Sequence, residues 1–217
     1  MSEQKSSIML VDDHPLLRKG LKQLLALEDE LEVIAEASNG ADAVKLAVEL
    51  DPDLIILDLN MQGMDGIATL KKMRDEGVTS RIVMLTVSDA DEDVVNAISN
   101  GADGYLLKDA DPEVLLEQIK RSLSGKMVLS EAITQVLATA LRRPAVKTSA
   151  ELNSLTNREH EILSFIAKGL SNKLIARELN ISDGTVKVHV KHLLKKLGLR
   201  SRVEAAVWMV NQQGAKS

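Results

Sequence analysis

Leu54-Ile55-Ile56-Leu57-Asp58 is four consecutive aliphatic residues closed by a carboxylate, and its reading decides the fold. A strand with one wet face alternates apolar and polar residues. An unbroken apolar run must be buried on both faces, as in a parallel sheet covered by helices on both sides. Working outward, the same kind of run recurs at Ile8–Val11, Val33–Ala37, Ile82–Val87 and Tyr105–Leu107. Between the runs lie helical patterns over 15–27, 41–50, 66–76, 91–100 and 112–123, the first carrying Leu16, Leu17, Leu21, Leu24 and Leu25 at helical spacing. Five strands alternating with five helices predict right-handed βαβ units, an α/β domain with the flavodoxin-like strand order 2-1-3-4-5. Gly40, Gly66, Gly77, Gly101 and Gly104 fall in the connections.

The remaining sequence has another character. Ser130 can cap a helix over 130–141, and RRPAVKTSAE (142–151) then loses all periodicity, which predicts a linker. The expected division is 1–125 for the α/β domain, 126–152 for the linker helix and flexible linker, and 153–217 for an all-helical domain. Thr156-Asn157-Arg158-Glu159 has capping-box spacing for a helix to about Lys168, ended by Gly169. Ser171 can cap 172–179, Ser182 can cap 183–197 ahead of Gly198, and Ser201-Arg202-Val203-Glu204 is a second capping-box match opening a helix to about Gln212.

Charge follows the same division. Residues 1–140 hold 13 Lys and Arg against 26 Asp and Glu, and residues 141–217 hold 14 against 6. An acidic module attracts cations and a basic one attracts phosphate backbones. Three aromatic residues, Tyr105, Phe165 and Trp208, are too few for a single-strand stacking platform. Without cysteine there is no thiol nucleophile, disulfide framework or cysteine-based zinc site. No apolar leader precedes the first carboxylates and no run of about 18 apolar residues occurs, so a cytoplasmic protein with no membrane partner is expected.

Asp12 and Asp13 follow the first strand and Asp58 ends the third. In the expected order those strands are neighbours, so the three carboxylates converge at the end of the sheet where ligands bind. Like charges in one crevice call for a cation, and a few hard oxygen donors suit Mg²⁺. Thr86 closes the fourth strand and Lys108 the fifth, adding a hydroxyl and an ammonium. A carboxylate nucleophile, a Mg²⁺ site, a hydroxyl and a Lys are the parts needed to accept a phosphoryl group and hold its charge. Any one of these residues alone is ordinary, since Asp forms turns and caps and Lys is usually a solvated surface charge. Their joint placement at four strand ends is not.

The segments VDDHP (11–15), LIILDLNM (54–61), MLTVSD (84–89) and GADGYLLKD (101–109) resemble the receiver domain of bacterial response regulators. The resemblance implies Asp58 as phosphoacceptor and Asp12 and Asp13 as Mg²⁺ carboxylates, with the Asn60 main-chain carbonyl as a further ligand. It also implies Thr86 and Lys108 as phosphoryl contacts, and Thr86 with Tyr105 as the switch pair. Gln62 and Asp109 stand where many receivers carry Pro, and neither is expected to touch the carboxylates.

In the basic part, residues 171–197 read as helix, turn, helix. Val186, Val190, Leu193, Leu194 and Leu197 form the buried stripe of the second helix, while Lys187, Lys191 and Lys195 lie four apart on another face. Gly184 and the exposed Val188 share that face, and a thymine methyl is a fitting contact for Val188. Three spaced cations repel one another unless a phosphate backbone relieves them. His189 and His192 lack the companions of a metal site. The segment resembles the LuxR/FixJ-type helix-turn-helix, in which Lys187, Val188 and Lys191 would read bases. Over nearly the whole chain the resemblance is to the nitrate/nitrite response regulators of the NarL and NarP type.

Three classes of function remain to be told apart. The first is a DNA-binding transcriptional response regulator, phosphorylated on Asp58 by a sensor histidine kinase and binding paired promoter half-sites as a homodimer. The second is a Mg²⁺-dependent phosphohydrolase with Asp58 as nucleophile, which typically needs a second Asp where Asn60 stands. The third is a signalling adaptor whose tail binds protein. Val203, Ala206, Val207 and Val210 are either a dimer seam or part of the domain core.

Overall fold

The computed structural model describes residues 5–88, 90–123 and 155–214, with side chains left undescribed at 91 and 210–214. The expected linker, 126–152, lies outside these residues.

The amino-terminal part alternates β1 (Ser6–Val11), α1 (Pro15–Leu25), β2 (Leu31–Ala37), α2 (Gly40–Leu50), β3 (Leu54–Asp58), α3 (Gly66–Asp75), β4 (Arg81–Thr86), α4 (Asp91–Ser99), β5 (Gly104–Leu107) and α5 (Pro112–Leu123). All strand pairs are parallel and the order is β2-β1-β3-β4-β5, as the sequence predicts. The unbroken apolar runs feed two cores. Met9, Val11, Ile55, Leu57, Ile82 and Met84 pack on one side, with Ala43, Leu70 and Val94 of the facing helices. Ile8, Leu10, Leu54, Ile56, Val83 and Leu85 pack on the other, with Leu21, Leu25, Leu115 and Ile119. Consecutive side chains point to opposite faces, so each run fills both cores.

The edge strand β2 does this differently. Its register against β1 shifts between Ile8 and Met9, whose partners are Val33 and Ala35. Ile34 is the extra residue, and it switches the faces. Leu31 and Val33 pack into one core, and Ala35 and Ala37, still at odd positions, pack into the other. A bulge inserted in a strand has this effect.

The carboxy-terminal part is all-helical among the described residues: α6 (Asn157–Ala167), α7 (Asn172–Leu179), α8 (Asp183–Leu197) and α9 (Arg202–Gly214). Ser171 and Ser182 cap α7 and α8 through the Leu174 and Thr185 amides. Gly169 and Gly198, just beyond α6 and α8, take the left-handed conformation that glycine permits. The Thr156–Glu159 capping box is complete. The second match forms only half. The Ser201 hydroxyl accepts from the Glu204 amide, but the Glu204 carboxylate accepts from the Arg200 amide at 2.7 Å. The reach-back is one residue longer than the motif supposes. Val186, Val190, Leu193, Leu194 and Leu197 of α8 are buried against Ile162, Leu163 and Trp208. From α9, Ala205 and Trp208 enter this core and Ala206 packs on its margin, whereas Val203 and Val207 are half-buried outside it.

Candidate functional site

The carboxylates converge at the carboxyl ends of β1 and β3. Asp58 is 1 % exposed as the last residue of β3, and Asp12 is 3 % exposed just past β1. Acceptor atoms of Asp12, Asp13, Asp58 and the Nδ1 of His14 all lie within 4.8 Å of one another. Lys108 reaches over from the end of β5 and places Nζ 2.8 Å from both Asp12 Oδ2 and Asp58 Oδ2. The backbone closes the remaining sides. The Asn60 amide donates to Asp58 Oδ1 at 3.2 Å and the His14 amide to Asp12 Oδ1 at 2.7 Å. Contrary to the expectation from the sequence, Gln62 does touch a carboxylate: its amide, which a Pro there would lack, donates to Asp13 Oδ2 at 3.0 Å.

Electrostatics follow from this crowding. Burial pushes the Asp58 carboxyl above the ordinary range, the Lys108 ammonium 2.8 Å away opposes it, and the Asp12 charge adds to the rise. The donors fit a small hard cation. All three carboxylates are within reach, and buried oxygens of Asp12, Asp13 and Asp58 lack a well-aligned hydrogen-bond donor even with Lys108 close by. Sequence reasoning passed over what Gly66 does here. A Cβ on Gly66 would lie 2.2 Å from the Asp58 carbonyl oxygen, so only glycine lets the start of α3 rest on the backbone that carries Asp58. The Gly66 amide donates to the Leu59 carbonyl at 2.8 Å.

Thr86 and Tyr105 belong to one connected chain beside this crevice. Thr86 is fully buried at the end of β4, and its hydroxyl accepts from the Ser88 amide at 3.1 Å. The Tyr105 hydroxyl donates to the Ser88 carbonyl at 3.0 Å, and its ring is buried. Both residues therefore grip the same residue of the loop leading to α4, Thr86 at its amide and Tyr105 at its carbonyl.

The second cluster of nominated residues lies at the opposite end of the sheet. The loops after α2 and α3, at the amino ends of β3 and β4, meet α8. Lys187 Nζ donates to the Asp51 carbonyl at 2.6 Å, with Asp51 and Asp53 carboxylates at 3.4 and 3.8 Å. Lys173 of α7 lies 3.1 Å from Asp53 and donates to the Lys5 carbonyl at 2.7 Å. Lys191 lies over Gly77, where a Cβ would come within 2.8 Å of its Cε. A cleft of about 210 Å³ separates Val48, Glu76 and Val78 from Gly184, Val188 and Lys191. Lys187, Val188 and Lys191 thus face the α/β domain, and Lys195 is exposed. Asp51, Asp53 and Glu76, which form the complementary acidic rim, looked like ordinary loop and helix-end charges in the sequence.

A sheet of this order with carboxylates at its carboxyl end, joined to a helix-turn-helix domain, defines a two-domain signalling regulator. Two family models match the chain, the response regulator receiver domain over residues 8–120 and the luxR family of bacterial regulatory proteins over residues 153–209. The chain belongs to the response regulators that join a receiver to a LuxR-type DNA-binding domain. It is 54 % identical over 208 residues to the nitrate/nitrite response regulator protein NarL of Escherichia coli strain K12, covering 96 % of each chain. With NarP of the same strain it is 52 % identical over 212 residues, again covering 96 % of each. Among solved structures it resembles response regulator ChrA of a heme-sensing two-component system, with 33 % identity, TM-score 0.50, and coverage of 96 % of this chain and 98 % of that one. These relatives are transcriptional response regulators rather than enzymes, which removes the phosphohydrolase reading. No helix among the described residues is long and apolar enough to cross a membrane.

Proposed function

We propose that this chain is a nitrate/nitrite-responsive transcriptional regulator switched by phosphoryl transfer from a sensor histidine kinase to Asp58. The nitrate and nitrite assignment rests on the similarity to NarL and NarP. The observation that carries the switch is that both ends of the receiver are engaged at once. Lys108 bridges Asp12 and Asp58 at one end, and Asp51 holds Lys187 at the other.

Asp58 supplies the attacking carboxylate oxygen. Asp12, Asp13, Asp58 and the Asn60 main-chain carbonyl would hold Mg²⁺, which when bound neutralises charge on the incoming phosphoryl oxygens. Lys108 holds the same charge from the other side, and Thr86 offers its hydroxyl. If Thr86 turns toward a phosphoryl oxygen and gives up the Ser88 amide, Ser88 loses one of its two anchors and keeps only the Tyr105 bond to its carbonyl. We place the receiver at 1–125, the tether at 126–152 and the DNA-binding domain at 153–217. Release of α8 frees Lys187, Val188, Lys191 and Lys195 for promoter DNA, and a homodimer reads paired half-sites in the cytoplasm.

The test is duplex binding by the full chain before and after phosphorylation with acetyl phosphate and Mg²⁺. A docked contact worth about 1–3 kcal/mol gives a 5–150-fold gain on phosphorylation. Equal affinity in the two states refutes the switch.

A further inference from the structure

At the seam between the two domains the cations and carboxylates pair off, and two guanidinium groups are left over. Arg74 takes Asp103 at 2.6 Å, Lys173 takes Asp53 at 3.1 Å, and Lys187 takes Asp51 at 3.4 Å and Asp183 at 3.8 Å. Arg81, the first residue of β4, and Arg202, the first residue of α9, are 9 % and 6 % exposed. No carboxylate of the described residues lies within salt-bridge distance of either. Their hydrogen bonds go to neutral acceptors. Arg81 donates to the Ser122 carbonyl, and Arg202 donates to the Leu170 carbonyl and to Asn172 Oδ1 at 3.0 Å. Asp103 acts on both charges and Asp183 on that of Arg202, but from beyond ion-pair distance, so each buried guanidinium is only partly compensated, which is costly for a buried ion.

Both guanidinium groups line one cavity of about 40 Å³, formed only where the domains meet. Its wall also carries the hydroxyl-bearing Ser6, Ser80 and Ser171, and the carboxylates Asp51 and Asp53, which Lys187 and Lys173 already pair at 3.4 and 3.1 Å. By this measure one water needs roughly 10–15 Å³, so the space takes one small guest larger than water, or a few waters. A water bridges hydrogen bonds and neutralises nothing. An anion does both.

We propose that the docked form of this chain binds a small inorganic anion, of halide or nitrate size, between Arg81 of the receiver and Arg202 of the DNA-binding domain. Burial, reinforced by the Arg81 charge, lowers the Arg202 pKa to about 9, and the charges of Asp103 and Asp183 offset this only in part. The anion crosslinks the domains because each supplies one guanidinium group. It therefore stabilises the closed state by linkage and leaves when the domains part. The inference rests on the docked arrangement invoked above for the switch.

The test uses the unphosphorylated full chain at constant ionic strength, with chloride varied against gluconate, which is too large for the cavity. The readout is ³⁵Cl NMR line broadening. The wild-type chain is expected to give saturable broadening that Arg81→Gln and Arg202→Gln each weaken at least tenfold. Arg202 also ties α9 to α7 and its preceding loop, so circular dichroism checks that variant, and Arg81→Gln carries the test if it misfolds. Nitrate that displaces chloride shows that it shares the site, and failure to displace marks a halide site; both support the proposal. Broadening that is unsaturable, or equal in the wild type and a folded Arg81→Gln chain, overturns it. The binding is read before any phosphoryl transfer, so its failure is distinct from failure of the switch. Duplex affinity in chloride and in gluconate completes the test. At matched ionic strength, chloride is expected to weaken DNA binding by the wild type more than by Arg81→Gln.

Discussion

Lys187 and Asp51 join the two domains through a main-chain atom: Lys187 Nζ donates to the Asp51 carbonyl at 2.6 Å, with the carboxylate at 3.4 Å. Asp51 closes α2 in the left-handed conformation, its amide bonded to the Ala47 carbonyl, and that cap turns its own carbonyl outward. A residue suited to a DNA phosphate or base thus spends its charge on the end of a receiver helix. The contact uses geometry that any residue tolerating positive φ at 51 could supply, so charge reversal at Asp51 is a weak probe of docking.

Val48 is the better probe. It is 53 % exposed on α2 and shares a cleft with Val188, Lys187 and Lys191. Val48→Arg leaves the receiver core intact and sets a third cation against two lysines. The variant is expected to bind promoter DNA without phosphorylation, 5–150-fold more tightly than the unphosphorylated wild type, in a gel-shift or anisotropy titration. Unchanged affinity in a folded Val48→Arg chain contradicts the docked account.

Asp58→Asn tests the crevice in two ways. The amide lacks the nucleophilic oxygen, so intact-mass analysis with acetyl phosphate and Mg²⁺ is expected to show no phosphoryl adduct. Stability should move in the opposite direction. The folded-state pKa of Asp58 is raised, first by burial, so its contribution to stability is whole below the ordinary carboxylate range and lost as pH rises through the folded value. At pH 7 without Mg²⁺ the wild type bears that penalty and the variant does not. The variant is expected to be the more stable of the two, with a higher Tm at pH 7, and the gap is expected to close as pH falls into the ordinary carboxylate range. A lower Tm for Asp58→Asn at pH 7 would show that the Lys108 ion pair outweighs the cost of burial.

The legible parts of this chain are those fixed by local chemistry. Runs such as Leu54–Leu57 announce two-faced burial, and strand order alone then brings Asp12 to Asp58. Thr156 with Glu159 announces a capped helix because both partners lie within one turn. The illegible parts depend on distance or on a missing atom. Nothing near Ile34 signals the bulge that turns β2 over, since both registers bury aliphatic residues. Gly66 reads as a turn glycine, and its use appears only when α3 meets the Asp58 backbone. The pairing of Asp51 and Asp53 with Lys187 and Lys173 spans well over a hundred residues and crosses from one domain to the other.

The segment from about 150 to 217 gives the docked contact its counter-experiment. Freed of the receiver, it exposes Lys187 and Lys191 permanently. It is expected to bind DNA without phosphorylation, and log affinity should fall with log salt at roughly −0.9 per phosphate contacted. Removing one phosphate-contacting lysine, as in Lys195→Ala, should shorten that slope by about one unit. Affinity that ignores salt would show that something other than the lysine row makes the contact.

The last prediction concerns how two copies meet on DNA. A single helix-turn-helix covers too few base pairs for a promoter address, and a two-fold dimer on inverted half-sites solves this. The structure divides the apolar residues of α9 into two groups. Ala205 and Trp208 are buried in the domain core, while Val203 and Val207, one turn apart, are only half-buried and stand outside it. Two half-exposed valines on one face form a seam that a second copy can cover without disturbing the core. Val203→Glu places a charge there and leaves Ala205 and Trp208 in place. The phosphorylated variant is expected to keep its helical signal and melting temperature. It should bind a single half-site as the wild type does, yet lose the added affinity for paired inverted sites. Analytical ultracentrifugation of the phosphorylated chains on paired-site DNA reads the stoichiometry directly. Two wild-type copies and one variant copy support the seam, whereas two variant copies bound with undiminished affinity move the dimer contact to another surface.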